Sequence, residues 1–264
     1  MAGIARASLG VLVFAPALAL AQSAFVGTWK ADLKNDVQLP SELHVFLLSA
    51  GTFYCKSCVP PYAVAADGQD HEVGGRPYFD TAAIKIVDDH TIEEIDKKAG
   101  KVVLTRVNQV SADGKTIVRE IVDASATNAD PVESKIEAQR IAAAPAGAYL
   151  VSGTWKSTQY LSYSDNGALT TWSLSADTLS MRNPTGQSYA APLDGTDVPF
   201  NGHPGQTSIS MKMVNDHTLE ETDKRDGKLI GTATLTVEPD GKRMTVVWNS
   251  VYRHSHGSFV NIKQ

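Results

Sequence analysis

Three groups of residues have the types and spacing to do chemistry. The first is Cys55-Lys56-Ser57-Cys58, which holds the only two cysteines of the chain. Such a pair can be a redox centre, half of a metal site or a covalent staple. A redox pair sits at a helix amino terminus, where the thiolate is stabilised. Here Val59-Pro60-Pro61 follows and resists helix formation. Haem attachment needs a histidine where Val59 stands, and zinc needs two further ligands at a coherent spacing, which are not evident. A disulfide staple is the reading that remains for an even cysteine count in an exported chain.

The second group is the histidines. His90 and His217 each follow an Asp in a turn-like stretch, and read as structural turn residues able to take an unusual φ. His254-Ser255-His256 would place two rings on one face of a strand, enough for an adventitious metal contact only, so no metal site is assigned. The third group is the adjacent carboxylates Glu93-Glu94 and Glu220-Glu221. Neighbouring strand residues point to opposite faces. One of each pair therefore points inward if the strand lines a barrel, where it could meet a cationic or hydroxylated ligand. The simpler expectation is that it faces solvent or pairs with Lys97, Lys98, Lys224 or Arg225 across a hairpin. There is no Gly-x-Ser-x-Gly elbow and no glycine-rich phosphate loop. No catalytic residue and no cofactor is assigned.

The elements that must hold these residues are written twice. Phe25-Val26-Gly27-Thr28-Trp29-Lys30 recurs as Val151-Ser152-Gly153-Thr154-Trp155-Lys156, and 18 of the 42 positions from Gly75 to Thr116 recur without a gap from Gly202 to Arg243. The Cys55–Cys58 stretch corresponds to Met181-Arg182-Asn183-Pro184, so the second copy forms the same turn without cysteines. A repeat this long is a domain rather than one turn of a solenoid. The expected organisation is a first repeat at 22–141, a proline-bearing linker of small residues at 142–149 and a second repeat at 150–264.

Within each copy, Ser208-Ile209-Ser210-Met211-Lys212-Met213 and Thr232-Ala233-Thr234-Leu235-Thr236-Val237 set the pattern. Polar and apolar residues alternate, as in strands with one buried face. Ala99-Gly100, Asp113-Gly114, Asp226-Gly227 and Asp240-Gly241 punctuate them as hairpin turns. The expected fold is all-β: two tandem antiparallel meander barrels of eight or nine strands each, with one larger sheet or sandwich as the alternative. Closure removes exposed edges, and about eight strands leave room for side chains or one small ligand.

Gly-Thr-Trp-Lys at the head of such a meander resembles the opening of lipocalin-like barrels. The fuller pattern, with Asp-x-Thr-Ile-Glu-Glu and Asp-Gly-Lys, resembles a family of exported bacterial lipocalin-like proteins over most of residues 25–264. The resemblance implies that Arg140 and Lys263, late in each copy, stack on the opening tryptophans, Arg140 on Trp29 and Lys263 on Trp155.

Met1–Ala21 carries Arg6, an apolar stretch from Leu9 to Leu20 and small residues at Ala19 and Ala21. It reads as a signal peptide cleaved before Gln22, giving a periplasmic or secreted protein. No later window is apolar enough for a membrane span. The chain has 24 Lys and Arg against 29 Asp and Glu and no basic cluster, which argues against nucleic-acid binding. The expected function is non-enzymatic binding of a small hydrophobic or amphipathic molecule inside a barrel. The alternatives are a hydrolase or isomerase in the barrel mouth, or an envelope protein with filled barrels. Candidate ligand contacts are Phe53, Tyr54, Trp172 and Trp248, with Tyr189 and Phe200 as further pocket or rim aromatics. Met211 and Met213 could line an adaptable apolar cavity, and Ile84 and Ile86 hold their places in the first copy.

Overall fold

The computed structural model describes residues 23–126 and 129–264; the expected signal segment, 1–21, lies outside the described residues. The first copy contributes β1 (Gly27–Gln38), β2 (His44–Ser49), β3 (Thr52–Cys55), β4 (Tyr62–Ala65), β5 (His71–Glu72), β6 (Thr81–Ile86), β7 (Thr91–Lys98), β8 (Lys101–Val110), β9 (Thr116–Asp123) and β10 (Val132–Ala142). The second contributes β11 (Gly153–Tyr163), β12 (Leu169–Ser175), β13 (Thr178–Arg182), β14 (Ser188–Pro192), β15 (Val198–Pro199), β16 (Ser208–Asn215), β17 (Thr218–Arg225), β18 (Lys228–Val237), β19 (Arg243–Ser250) and β20 (Ser255–Lys263). One helical turn, α1 (Asp165–Ala168), separates β11 from β12.

The strands form two ten-stranded antiparallel sheets, each curled into a nearly closed barrel, not one larger sheet. Ten strands replace the expected eight or nine because β5 and β15 are two residues long, too short to leave an alternating trace. Tight turns set the register. Ala50-Gly51, Ala99-Gly100 and Asp226-Gly227 each place two consecutive residues at positive φ. That is the type I′ geometry whose twist matches paired strands. His90 and His217 do sit between paired strands, but neither takes a positive φ; Asp88 and Asn215 accept their backbone N–H groups and shape the turn instead. The unusual φ falls on His254, at 51°. His254 therefore lies in the turn before β20, and the two rings of 254 and 256 do not share a strand face.

The opening strands are exchanged. β11 of the second copy lies between β2 and β10, and β1 of the first lies between β12 and β20. Barrel one is thus built from residues 44–163, and barrel two from 27–38 together with 169–263. The segment 142–149, read as a linker, connects β10 to β11 inside barrel one.

The exchange corrects the stacking partners implied by the family resemblance. Arg140 lies over Trp155 at 4.0 Å, and Lys263 over Trp29 at 5.1 Å. The residues are as expected, but β11 beside β10 and β1 beside β20 cross the pairs. Both indoles are fully buried and donate to a carbonyl four residues back, Phe25 at 2.7 Å and Val151 at 2.9 Å. Glycine precedes each motif because the backbone there holds φ near 130° and passes beneath the cation. A Cβ on Gly27 would lie 2.8 Å from Lys263 Cε, and one on Gly153 would lie 2.6 Å from Arg140 Nη1. Burying an indole removes roughly 150–250 Å² from water, about 4–6 kcal/mol at ~25 cal/mol/Å². These tryptophans therefore anchor an exchanged opening strand in the core of each barrel.

Candidate ligand cavities

Barrel one holds a partly open cavity of about 120 Å³. Four arginines line it, Arg76, Arg106, Arg119 and Arg253, against two glutamates, Glu42 and Glu94. Strand parity brings them there. Along β8, Arg106 and Asn108 share the inward face with Leu104 and Val110, and along β9, Arg119 shares it with Ile117. Glu94 and Asp96 face inward from β7. Glu94 therefore points into the barrel and does not pair with Lys97 or Lys98. Its Oε1 accepts from Tyr62 at 2.6 Å and pairs with Arg106 Nη1 at 2.8 Å. The same Arg106 nitrogen reaches Asp96 Oδ2 at 3.0 Å.

The charge states follow from this arrangement. Burial, reinforced by Glu94, pushes Asp96 up to about 8, so it is largely protonated at neutral pH. Burial works against the charge of Arg106, but Glu94 and Asp96 outweigh it and hold Arg106 above its usual range. Arg119 has no carboxylate in contact, and the more distant Glu94 and Glu42 offset its burial only in part. Its Nε donates to Asn108 Oδ1 at 3.1 Å, and among the described residues no carboxylate lies within ion-pair distance. Burial, and then repulsion from Arg106, lowers it to about 10. Burial and Arg119 hold His44 well below its usual range, so its imidazole is neutral. Arg76 donates through Nη2 to the Pro60 carbonyl and stacks on Tyr62 and Phe79, at 4.7 and 5.1 Å; its buried Nη1 has no partner among the described residues.

The mouth of this cavity belongs to the other barrel. Tyr252 and Arg253, from the turn between β19 and β20, line the opening. Tyr252 donates to the Val59 carbonyl at 2.7 Å, Arg225 stacks on Tyr252 at 4.7 Å, and Arg253 approaches Glu42 at 3.5 Å. The Cys55–Cys58 disulfide, with Cα atoms 5.4 Å apart, forms another part of the wall.

Barrel two holds a larger cavity, about 220 Å³, at the corresponding place. The repeat aligns Tyr62 with Tyr189, Glu94 with Glu221 and Asp96 with Asp223, so the inward carboxylates recur. The cations do not: His203, Ala233 and Val246 stand for Arg76, Arg106 and Arg119, and Leu235 for Asn108. Burial and the neighbouring Asp223 push Glu221 up to about 8. Burial raises Asp223 to about 6, opposed by the Gln206 amide that donates to it. Trp172, Tyr189, Phe200 and Phe259 supply aromatic wall, and the buried Trp172 indole N–H has no acceptor among the described residues.

Of the ligand contacts expected from sequence, Trp172 lines the barrel-two cavity. Phe53 and Ile84 are fully buried in the packed core of barrel one, and Met211 in that of barrel two, where it accepts from Tyr189 at 3.7 Å. Ile86 and Met213 pack at the core edge, Tyr54 is exposed on the outer surface, and Trp248 flanks an outer groove beside Phe259. The sequence does not mark the arginines of barrel one as cavity residues, because an Arg in a strand reads as solvent-facing. The signal was available: Arg106, Asn108 and Arg119 occupy positions that are apolar in the other copy.

Comparison with protein-family models, with curated proteins and with solved structures finds no match to this chain. Among the described residues no helix is long and apolar enough to cross a membrane.

Proposed function

We propose that this chain is an exported, non-enzymatic binding protein that holds a small, partly apolar molecule within its barrels. One observation carries the reading. Each barrel keeps a cavity lined by a residue whose buried donor has no acceptor among the described residues, Arg76 Nη1 in barrel one and Trp172 Nε1 in barrel two. Buried polar groups are mostly paired in folded proteins, so an unpaired donor on a cavity-lining residue favours a ligand that completes it after a small side-chain adjustment. The disulfide agrees with an oxidising compartment.

A second reading is favoured by the Glu221–Asp223 pair. Two buried carboxyls held at about 8 and about 6 form a proton donor and acceptor beside an apolar cavity, as acid–base catalysis requires. Native mass spectrometry of protein recovered from a periplasm separates the readings. A reproducible excess mass that is released unchanged supports a carrier. Turnover of the released molecule that is lost in Glu221→Gln assigns an enzyme, and no excess mass favours filled, structural barrels. The denatured mass of the same sample tests export, with Gln22 expected as the amino terminus.

A further inference from the structure

We propose that the barrel-one cavity is a site for a small organic carboxylate, held by Arg119 and Arg76 with its apolar part against Phe46 and Phe79. This deepens the binding function proposed above and rests on it. The charge inside the barrel is unbalanced. Arg76, Arg106 and Arg119 converge on one cavity, while Glu94 is already shared between Tyr62 and Arg106. Glu42, the other acidic group on the lining, faces Arg253 at the rim. A buried guanidinium with no anion is among the most unfavourable arrangements a protein interior can hold. Arg119 is 8% exposed, its nearest polar partner is the neutral amide of Asn108, and its ring neighbour is Phe46 at 5.8 Å.

Barrel two shows that the fold does not need these cations. It closes with the same strand order and keeps the same inward tyrosine and carboxylates, with Ala233 and Val246 where barrel one has Arg106 and Arg119. The arginines therefore serve the cavity rather than the barrel. A carboxylate suits them because a planar fork of N–H donors matches its two oxygens. About 120 Å³ is the scale of a cavity that takes a single aromatic ring, so the carboxylate carries one ring or a short chain. The neutral His44 imidazole, stacked on Phe46 at 6.2 Å, adds a flat wall without adding charge.

Calorimetric titration of the intact protein with benzoate and butyrate tests this, with benzamide, butylamine and sodium sulfate as comparison probes at matched ionic strength. Benzoate or butyrate should bind, at least tenfold tighter than benzamide or butylamine. Arg119→Val, the residue barrel two uses, should weaken carboxylate binding at least tenfold. Arg119→Lys should recover part of it, and Lys115→Gln, which removes an exposed charge, should leave it unchanged. Benzamide binding as tightly as benzoate, with no effect of Arg119→Val, overturns the carboxylate assignment while leaving the carrier function standing. Sulfate binding as tightly as benzoate overturns the organic class. If no probe binds while native protein carries excess mass, the assignment fails alone; with no excess mass, both fail.

Discussion

Replacing Asn108 and Arg119 together by the residues barrel two carries at those places should stabilise the ligand-free protein. The perturbation is Asn108→Leu with Arg119→Val, copying Leu235 and Val246. Arg119 is lowered from 12.5 to about 10 by burial and by Arg106. At ~1.4 kcal/mol per unit, its charged form is disfavoured in the folded state by about 3 kcal/mol. Removing Arg119 alone would strand the Asn108 amide, which loses its partner at 3.1 Å, and an unsatisfied buried group costs about 1–3 kcal/mol. The single Arg119→Val variant should therefore be near neutral. The double variant removes both polar groups and adds buried apolar surface, and the space vacated by the arginine offsets part of the gain. A net gain of about 1–3 kcal/mol is expected, or ~2–10 °C in Tm for a chain of this size. Urea unfolding followed by tryptophan fluorescence measures it. A double variant less stable than the single would show that the arginine is held by the protein itself rather than awaiting a ligand, and would refute the reasoning.

Three further outcomes are expected. Glu221 titrates at about 8 when folded against an ordinary 4.5, so the folded state retains a proton that the unfolded chain releases. Its stabilising effect is complete below pH 4.5 and is lost as pH rises through 8, at up to about 1.4 kcal/mol per pH unit. Unfolding free energies at pH 5 to 9 should fall less steeply in Glu221→Gln, and parallel curves would count against an inward acid. Arg140 donates to the carbonyls of Gly114, Leu150 and Ser152 while stacking on Trp155, so Arg140→Met should lower stability by about 2–3 kcal/mol. Lys263→Met, which loses a single longer stacking contact, should lose under about 1 kcal/mol by calorimetry. Finally, residues 43–164 expressed alone contain every strand of barrel one and should give a cooperative thermal transition; residues 23–142 lack β11, split the sheet between β2 and β10, and should not.

Much of the fold was legible because strand periodicity and turn chemistry are local. Ile209, Met211 and Ala233, Leu235 announce one buried face, and Ala99-Gly100 and Asp226-Gly227 announce the turns joining strands that do pair. Trp29 and Trp155, with their cations, were legible as residue types. Their partners were not, because the choice is global. Gly-Thr-Trp-Lys is identical in both copies, so either opening strand offers either barrel the same glycine, indole and hydrogen-bonding edge. Nothing local distinguishes a strand that completes its own barrel from one exchanged with its duplicate, the intramolecular form of a domain swap.

The cavity chemistry was hidden for a different reason. Alternation says which residues face inward, but it is read from apolar residues, and a functional interior replaces those with polar ones. Arg106 and Arg119 thereby erased the pattern that would have placed them inside. A duplicated chain restores the missing reference. Where one copy shows Ala233, Leu235 and Val246 on an inward face, a charged or amide residue at the matching place in the other copy must also point inward, since strand parity cannot change without moving every neighbour to the wrong side. Inside such a pair of barrels, the positions where the two copies disagree in polarity set what each cavity can hold, while the positions where they agree, Tyr62 with Tyr189 and Glu94 with Glu221, set the polar framework both cavities inherit. Barrel one answers its inherited carboxylates with three arginines and is left with positive charge to spare; barrel two answers them with none, holds Glu221 protonated and keeps Asp223 as its anion. One scaffold thus carries two cavities of opposite electrostatic character.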